Sequence, residues 1–229
     1  KSKLKADEID LSLVQERDQT IAGFVISQPS TLKNNLALLQ QAYAFDIIES
    51  GFQLKFIPRG KIVKPIQIEL DDLASEVGQA QSAFMETYAQ TTDFPQRMNI
   101  LFTDLQNDYQ QGHQLAQRMC VPHQQASTIE LPMALTPTQA LQIAERLLDE
   151  AWSQRTHLEF NLSRKYAHLD PSDLICINDQ LWRITSLSYG DPGLVKVKAV
   201  SCDQNIDDVS SFQKAVTKES KTPEINLAT

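Results

Sequence analysis

The tetrapeptide Thr136-Pro137-Thr138-Gln139 constrains this chain more than any other stretch, because it marks a helix start in three ways. A hydroxyl residue stands at the N-cap, proline takes the first helical position where its missing N–H costs nothing, and glutamine is placed for a capping box. Behind it Ala140, Ala144, Leu147, Leu148, Ala151 and Trp152 recur at helical spacing. The spacing predicts a helix from Thr136 to about Trp152 with one apolar stripe that must face a partner. Ahead of it, from Pro95, an extended run, a polar turn and a second extended run close on Thr128-Ile129-Glu130-Leu131-Pro132. The whole stretch reads as an interaction scaffold with no chemistry written on it.

Similar signals run along the rest of the chain. Lys1 to Thr20 is charged and weakly patterned, with a short turn near Leu11 to Val14. Ile21 to Ser27 reads as a strand. Pro29 and Ser30 then punctuate, and Leu32, Leu36, Leu39 and Tyr43 give a helix. Phe45 to Glu49 and Phe52 to Pro58 are strands about a Ser50-Gly51 hairpin turn, where glycine supplies the positive φ. Lys61 to Leu70 alternates imperfectly, and Pro65 pushes it to a sheet edge. Asp71 to Thr92 is polar and reads as a short helix followed by a loop. After the long helix, His157 to Leu162, Asp173 to Ile177, Leu181 to Tyr189 and Leu194 to Ser201 read as successive antiparallel strands. Asn178-Asp179 and Gly190-Asp191-Pro192-Gly193 supply turns between the last three.

These elements give an α+β fold, mainly antiparallel β. Strand, punctuated helix, strand and hairpin occur twice, with Pro29 and Pro137 in comparable places, which reads as a weak internal duplication. The expected division is a first β domain with one helix at residues 1–93 and a second with the long helix at 94–205. A linker or tail follows at 206–229, where Asp207-Asp208, Lys218-Glu219-Ser220-Lys221 and Thr222-Pro223 carry no pattern.

Composition narrows the function classes. With 229 residues, 41% of them hydrophobic, the chain can bury a sizeable core. No apolar run approaches the roughly 20 residues of a membrane span, and Lys1-Ser2-Lys3-Leu4-Lys5 does not open a signal peptide. The first residue is not Met, which is the expectation for a piece of a longer polypeptide. A formal net charge of −8 argues against general nucleic-acid binding, since phosphate contacts need clustered cations. The nearest basic patch, Arg59, Lys61 and Lys64 on an apparent strand, reads as a solvated face. Cys120, Cys176 and Cys202 form no CxxC, and Cys176 sits in an apolar alternation as a small buried hydrophobe, which fits a reduced, intracellularly assembled protein.

No arrangement for catalysis emerges. His113, His123, His157 and His168 are scattered, without HExxH or zinc spacing. Cys120 and His123 make at most half a site, His168 near Asp170 and Asp173 reads as a turn, and Asp104 with Asp108 as a solvated face. There is no GxSxG, and with 7 glycines there is no phosphate-cradling loop. Among 29 acidic residues some pair always meets the spacing of a glycosidase, so that criterion selects nothing. Trp152 on the helix stripe and Trp182 beside Ile184 read as core; as a sugar-stacking pair they would make a carbohydrate-binding module. The chain is expected to be no enzyme, with no catalytic, cofactor-binding or metal-binding residues and no cofactor.

One ordered series of short segments resembles a known family. Asn107-Asp108-Tyr109-Gln110, Ile129-Glu130-Leu131-Pro132, Leu135-Thr136-Pro137 and Glu150-Ala151-Trp152 belong to it. So do Gly23-Phe24-Val25-Ile26, Phe45 to Gly51, Leu54 to Gly60, Leu174-Ile175-Cys176-Ile177 and Trp182-Arg183-Ile184-Thr185. Together, over roughly Thr20 to Asp203, they resemble the "putative phage tail protein" family of phages, prophages and gene transfer agents, related to lambda-like tail-tip proteins. The resemblance implies a virion structural protein of the tail hub or baseplate that joins tail tube to tip. It implies two small β-barrel-like hub domains, each with one packed helix, and a homotrimer whose two similar half-chains match a threefold tip to a sixfold tube. It further implies contacts with the tail tube and other tail or baseplate proteins, no membrane partner and no specific nucleic-acid binding, although DNA passes the lumen. Localisation would be the virion tail, assembled in the bacterial cytoplasm. The alternative is a carbohydrate- or receptor-binding module of a tail protein, which requires Trp152 and Trp182 to be exposed on one face.

Overall fold

The computed structural model describes residues 5–15, 21–26, 31–59, 64–73, 84–118, 125–189 and 193–202. In chain order its elements are β1 (Ile9–Asp10), the single turn α1 (Ser12–Gln15), α2 (Leu32–Tyr43), β2 (Phe45–Ser50), β3 (Gln53–Pro58), β4 (Ile66–Gln67) and β5 (Phe84–Tyr88). There follow β6 (Arg97–Asp104), β7 (Gln111–Gln117), β8 (Ala126–Leu135), α3 (Pro137–Ser153), β9 (Thr156–Ser163), β10 (Leu174–Ile177), β11 (Gln180–Ser188) and β12 (Leu194–Ser201).

The capping signal at Thr136 is met in full. The Thr136 side chain accepts from the Gln139 N–H at 3.3 Å, and the Gln139 side chain accepts from the Thr136 N–H at 3.0 Å. Ala140, Ile143, Ala144 and Leu148 are buried, and Leu147 and Trp152 pack at the margin. They lie over Met98, Ile100 and Phe102 of β6, Ala116 of β7, and Leu131, Met133 and Leu135 of β8. Leu39, Ala42 and Tyr43 of α2 join this same core. Helix α2 buries only Ala42 fully and leaves Leu32 53% exposed, so it has no stripe wide enough to cover a sheet of its own. The two helices therefore share one core, where one helix for each β unit was expected.

The described strands form three sheets, ordered β1-β3-β2, β4-β10-β11-β12-β9-β5 and β7-β6-β8, and none of them closes into a barrel. Strand β1 runs parallel to β3, β4 to β10, and β6 to β8; the remaining neighbours are antiparallel. The six-stranded sheet has its own core of Leu158, Phe160, Leu162, Ile175, Ile177, Trp182, Ile184, Val195, Val197 and Ala199. Ile68, Tyr166 and Leu169 cover it from the flanking segments. Its two edge strands, β4 and β5, come from residues before 94, so strand pairing crosses the expected division at 93/94.

The last four strands form where the alternation placed them, although β9 pairs with β12 instead of with its successor β10. Asn178 and Asp179 turn β10 into β11 with φ of 52° and 61°, as a two-residue hairpin turn requires. Elsewhere the sequence expectations need correction. The β2–β3 turn is Gly51-Phe52, not Ser50-Gly51: Ser50 pairs with Gln53, and both loop residues have positive φ. The polar stretch read as helix and loop contains β5, which exists because β9 offers it a full-length antiparallel partner. The long strand expected from Lys61 reduces, among the described residues, to Ile66–Gln67. Around Phe24 the expected strand makes a single bridge to Met133. Two hydrogen bonds flank that bridge, from the Val25 N–H to the Pro132 carbonyl at 2.8 Å and from the Ala134 N–H to the Gly23 carbonyl at 2.9 Å. Pro132 sits where the β6–β8 register slips, between Leu101↔Glu130 and Thr103↔Ala134, so its missing N–H falls in an irregularity that tolerates it. The expected linker at 206–229, together with Cys120, His123 and Lys61, lies outside the described residues.

Candidate functional site

Where α3 meets β3 and β11, the chain buries charge. Glu150 on the last turns of α3 accepts from Arg59, from Arg183 at 3.3 Å and from the Gln154 amide at 2.7 Å. Arg146, one turn earlier, lies 3.6 Å from the other Glu150 oxygen and donates to the Gln41 and Ala42 carbonyls at the end of α2. Arg59, just beyond β3, also donates to Asp46 on β2 through Nε at 2.9 Å and Nη2 at 2.6 Å. The Ser172 hydroxyl donates to the second Asp46 oxygen at 2.9 Å. Burial pushes the Asp46 carboxyl up, but the Arg59 hydrogen bonds and charge, the Arg183 charge and Ser172 together hold it below the usual carboxylate range. The cluster cross-links α2, α3, the β2–β3 hairpin and the six-stranded sheet, so its chemistry is that of a joint. The solvated basic face expected for Arg59 does not form; the side chain is partly buried and pairs with both Asp46 and Glu150. The Arg146/Glu150 spacing of one helical turn was the available signal, but Arg59 and Arg183 reach Glu150 from 91 and 33 positions away.

A cleft of about 340 Å³ opens between the end of α3 and the start of β11, lined by Arg118, Asp149, Trp152, Arg155, Leu181 and Cys202 among others. Trp152 is half-buried in its wall. The indole N–H donates to the Pro95 carbonyl at 2.9 Å, Phe94 tilts against the ring at 5.5 Å, and the Arg118 guanidinium lies 5.0 Å from its centre. Trp182 is 3% exposed and belongs to the six-stranded sheet's core. The two tryptophans therefore present no shared sugar-stacking face.

The tips of two hairpins display aromatic rings. Phe52 closes β2–β3 at φ 66° with 96% of its surface exposed; Tyr109 lies between β6 and β7 at φ 58° and is 68% exposed. The first tip is braced at its neck, where the Ser50 hydroxyl donates to Asp170 at 2.7 Å and the Lys55 ammonium donates to Ser50 at 3.1 Å.

The other residues weighed from sequence remain apart. Among the described residues no three His, Cys, Asp or Glu side chains gather as a metal site. His168 stacks on Tyr166 and its Nδ1 lies 3.1 Å from the Lys165 carbonyl, while Asp173 accepts from the Asp170 N–H at 2.8 Å within the same turn. Burial, with the Asp170 charge behind it, pushes the Asp173 carboxyl up. Asp104 ends β6 and accepts from the Gln106 N–H at 2.8 Å; Asp108 lies in the turn, so no helix face aligns them. Cys176 is 7% exposed, as its alternation predicted. No helix among the described residues is long and apolar enough to cross a membrane.

Fold and site together define a mixed-sheet scaffold braced by buried charge and presenting aromatic loop tips. Residues 31–187 match the family described as "putative phage tail protein", and the chain belongs to that family. Its fold is similar to that of a chain from the virion of a native gene transfer agent particle, with a TM-score of 0.77 and 25% identity over 88% of this chain and 45% of that one. The 43 kDa tail protein of prophage MuSo2 from Shewanella oneidensis shares the fold at a TM-score of 0.53 and 14% identity, covering 80% of this chain and 58% of that one. A tail protein from Neisseria meningitidis MC58 does so at 0.58 and 10%, covering 81% and 60%. The chain thus spans about half the length of the solved chains it resembles. No curated protein matches it significantly in sequence.

Proposed function

We propose that this chain is a structural segment of the tail hub or baseplate, working as a homotrimer that joins the tail tube to the tip. The observation that carries this reading is the likeness over 88% of the chain to a protein of a gene transfer agent virion. The joint at Glu150 supports it, because an adaptor that transmits force needs its sheets locked, and these side chains cross-link α2, α3, the β2–β3 hairpin and the six-stranded sheet. In this reading residues 1–93 and 94–205 supply the two hub units. The first contributes β4 and β5 to the sheet of the second, so the division is one of role and not of independent folding. The net charge of −8 would give a DNA-conducting lumen walls that do not hold DNA. The chain acts on no substrate and contacts other tail or baseplate proteins. Light scattering across a wide concentration range, followed by electron microscopy with the purified tube protein, tests the reading. A trimer that caps tube ends is expected; a chain that neither self-associates nor binds tubes overturns it.

A further inference from the structure

Phe52 stands out because a bulky, exposed ring occupies a turn position that favours a small residue. A two-residue hairpin turn with positive φ at both positions favours Gly or Asn, and Gly51 meets the first position at φ 60° without strain. Phe52 at φ 66° holds a bulky side chain in the left-handed region, which is strained for any residue with a Cβ. Its ring is 96% exposed, so no packing among the described residues offsets that strain. The neck beneath is pre-organised by the Ser50–Asp170 and Lys55–Ser50 hydrogen bonds, and the foot by Arg59. A rigidly mounted aromatic in a strained turn has the form of an interface anchor.

The same molecule carries a matching recess. The cleft beside α3 has about 340 Å³, room for a benzyl side chain, and offers Trp152, Leu181 and Cys202 as apolar lining. Its cations are Arg118, which lies 3.6 Å from Asp149, and the exposed Arg155. The hairpin tip is flanked by opposite charge: Glu49 is exposed beside the turn, and the exposed Asp7 receives the Gln53 amide on its carbonyl at 3.0 Å. We propose that Phe52 of one copy docks in this cleft of the next, with Glu49 facing Arg155. Knob and recess are different surfaces of one chain, so the contact is head-to-tail and builds a ring where the rotation closes. This contact rests on the self-assembling hub reading and names one interface within it.

Sedimentation velocity on the whole chain and three variants tests the contact. Phe52→Asn is expected to weaken association at least tenfold, the loss typical of an anchor residue. The melting temperature of the dissociated chain should stay level or rise, because Asn accepts the turn. Arg155→Glu should weaken association as well, and adding Glu49→Arg to that chain should restore it. A Phe52→Asn chain that assembles like the wild type overturns the contact and leaves the hub reading standing. A lowered melting temperature for that variant overturns the strain argument. A wild-type chain that is monomeric throughout overturns any copy-to-copy contact, and the hub reading then depends on binding to the tube.

Discussion

At the scale of single residues, Glu150 sets the cost of disturbing the joint. Its side chain is 10% exposed and lies within reach of Arg59, Arg146 and Arg183. Replacing it with Gln keeps the shape but leaves buried guanidinium groups without their carboxylate, and breaking such a cluster from one side typically costs about 3–5 kcal/mol. Urea unfolding of Glu150→Gln should show that loss, and a change under 1 kcal/mol would show the joint to be dispensable. Asp46 makes the joint acid-sensitive. Its carboxyl is held below the usual range in the fold, so its contribution is complete above the unfolded value near 4 and is lost as pH falls through the lower folded value. Asp173 has the opposite sign, because its raised value favours the fold below the unfolded value and that gain fades as pH rises through the folded one. Acid titration of stability for Asp46→Asn should therefore be flatter below pH 4 than for the wild type. Equal slopes would assign the acid response elsewhere. Beyond the Arg146/Glu150 spacing the joint was not legible in the sequence, because Asp46 and Ser172, 126 positions apart, carry no local mark of each other.

At the scale of elements, legibility follows the range of the forces. Helix α3 was readable because its start is fixed by groups three residues apart, and the Asn178-Asp179 turn because its φ demands are local. Strand β5 was not, because Phe84–Tyr88 owes its conformation to β9, whose paired residues begin at Thr156. The β2–β3 turn slipped by one residue for a related reason: Gly51 advertised a turn, but an aromatic in the adjoining left-handed position runs against propensity. The Thr136 cap allows a direct measurement of the local term. Thr136→Ala removes the hydroxyl that accepts from the Gln139 N–H, and should lower stability by about 1 kcal/mol in chemical denaturation, with Thr136→Ser close to wild type. If the two variants behave alike, tertiary packing of Ala140, Ile143 and Ala144 sets that end of α3 and the capping box is incidental.

At the scale of the whole molecule, the question is whether residues 94–205 can stand alone. They contain β6 to β12 and the long helix, and in sequence order they resemble a complete unit. The strand order argues otherwise: β4 and β5 occupy the two ends of the six-stranded sheet, so a chain beginning at residue 94 would bare the edges of β10 and β9 together. Strand β9, Thr156–Ser163, would then offer a long edge bearing one charged residue, Glu159, and an ionisable His157, which is the form that pairs with neighbouring chains. The same cut removes Ala42, Leu39 and Tyr43 from the helical core, and Arg59 and Asp46 from the joint. Expressed by itself, the 94–205 fragment should aggregate with concentration and melt well below the whole chain, and adding the 1–93 fragment in trans should restore solubility. A fragment that stays monomeric and melts with the whole chain would mean that β4 and β5 are accessory strands. The two hub units would then be independent domains, and the mechanical coupling assigned to the donated strands β4 and β5 would pass to the Arg59–Glu150 joint alone.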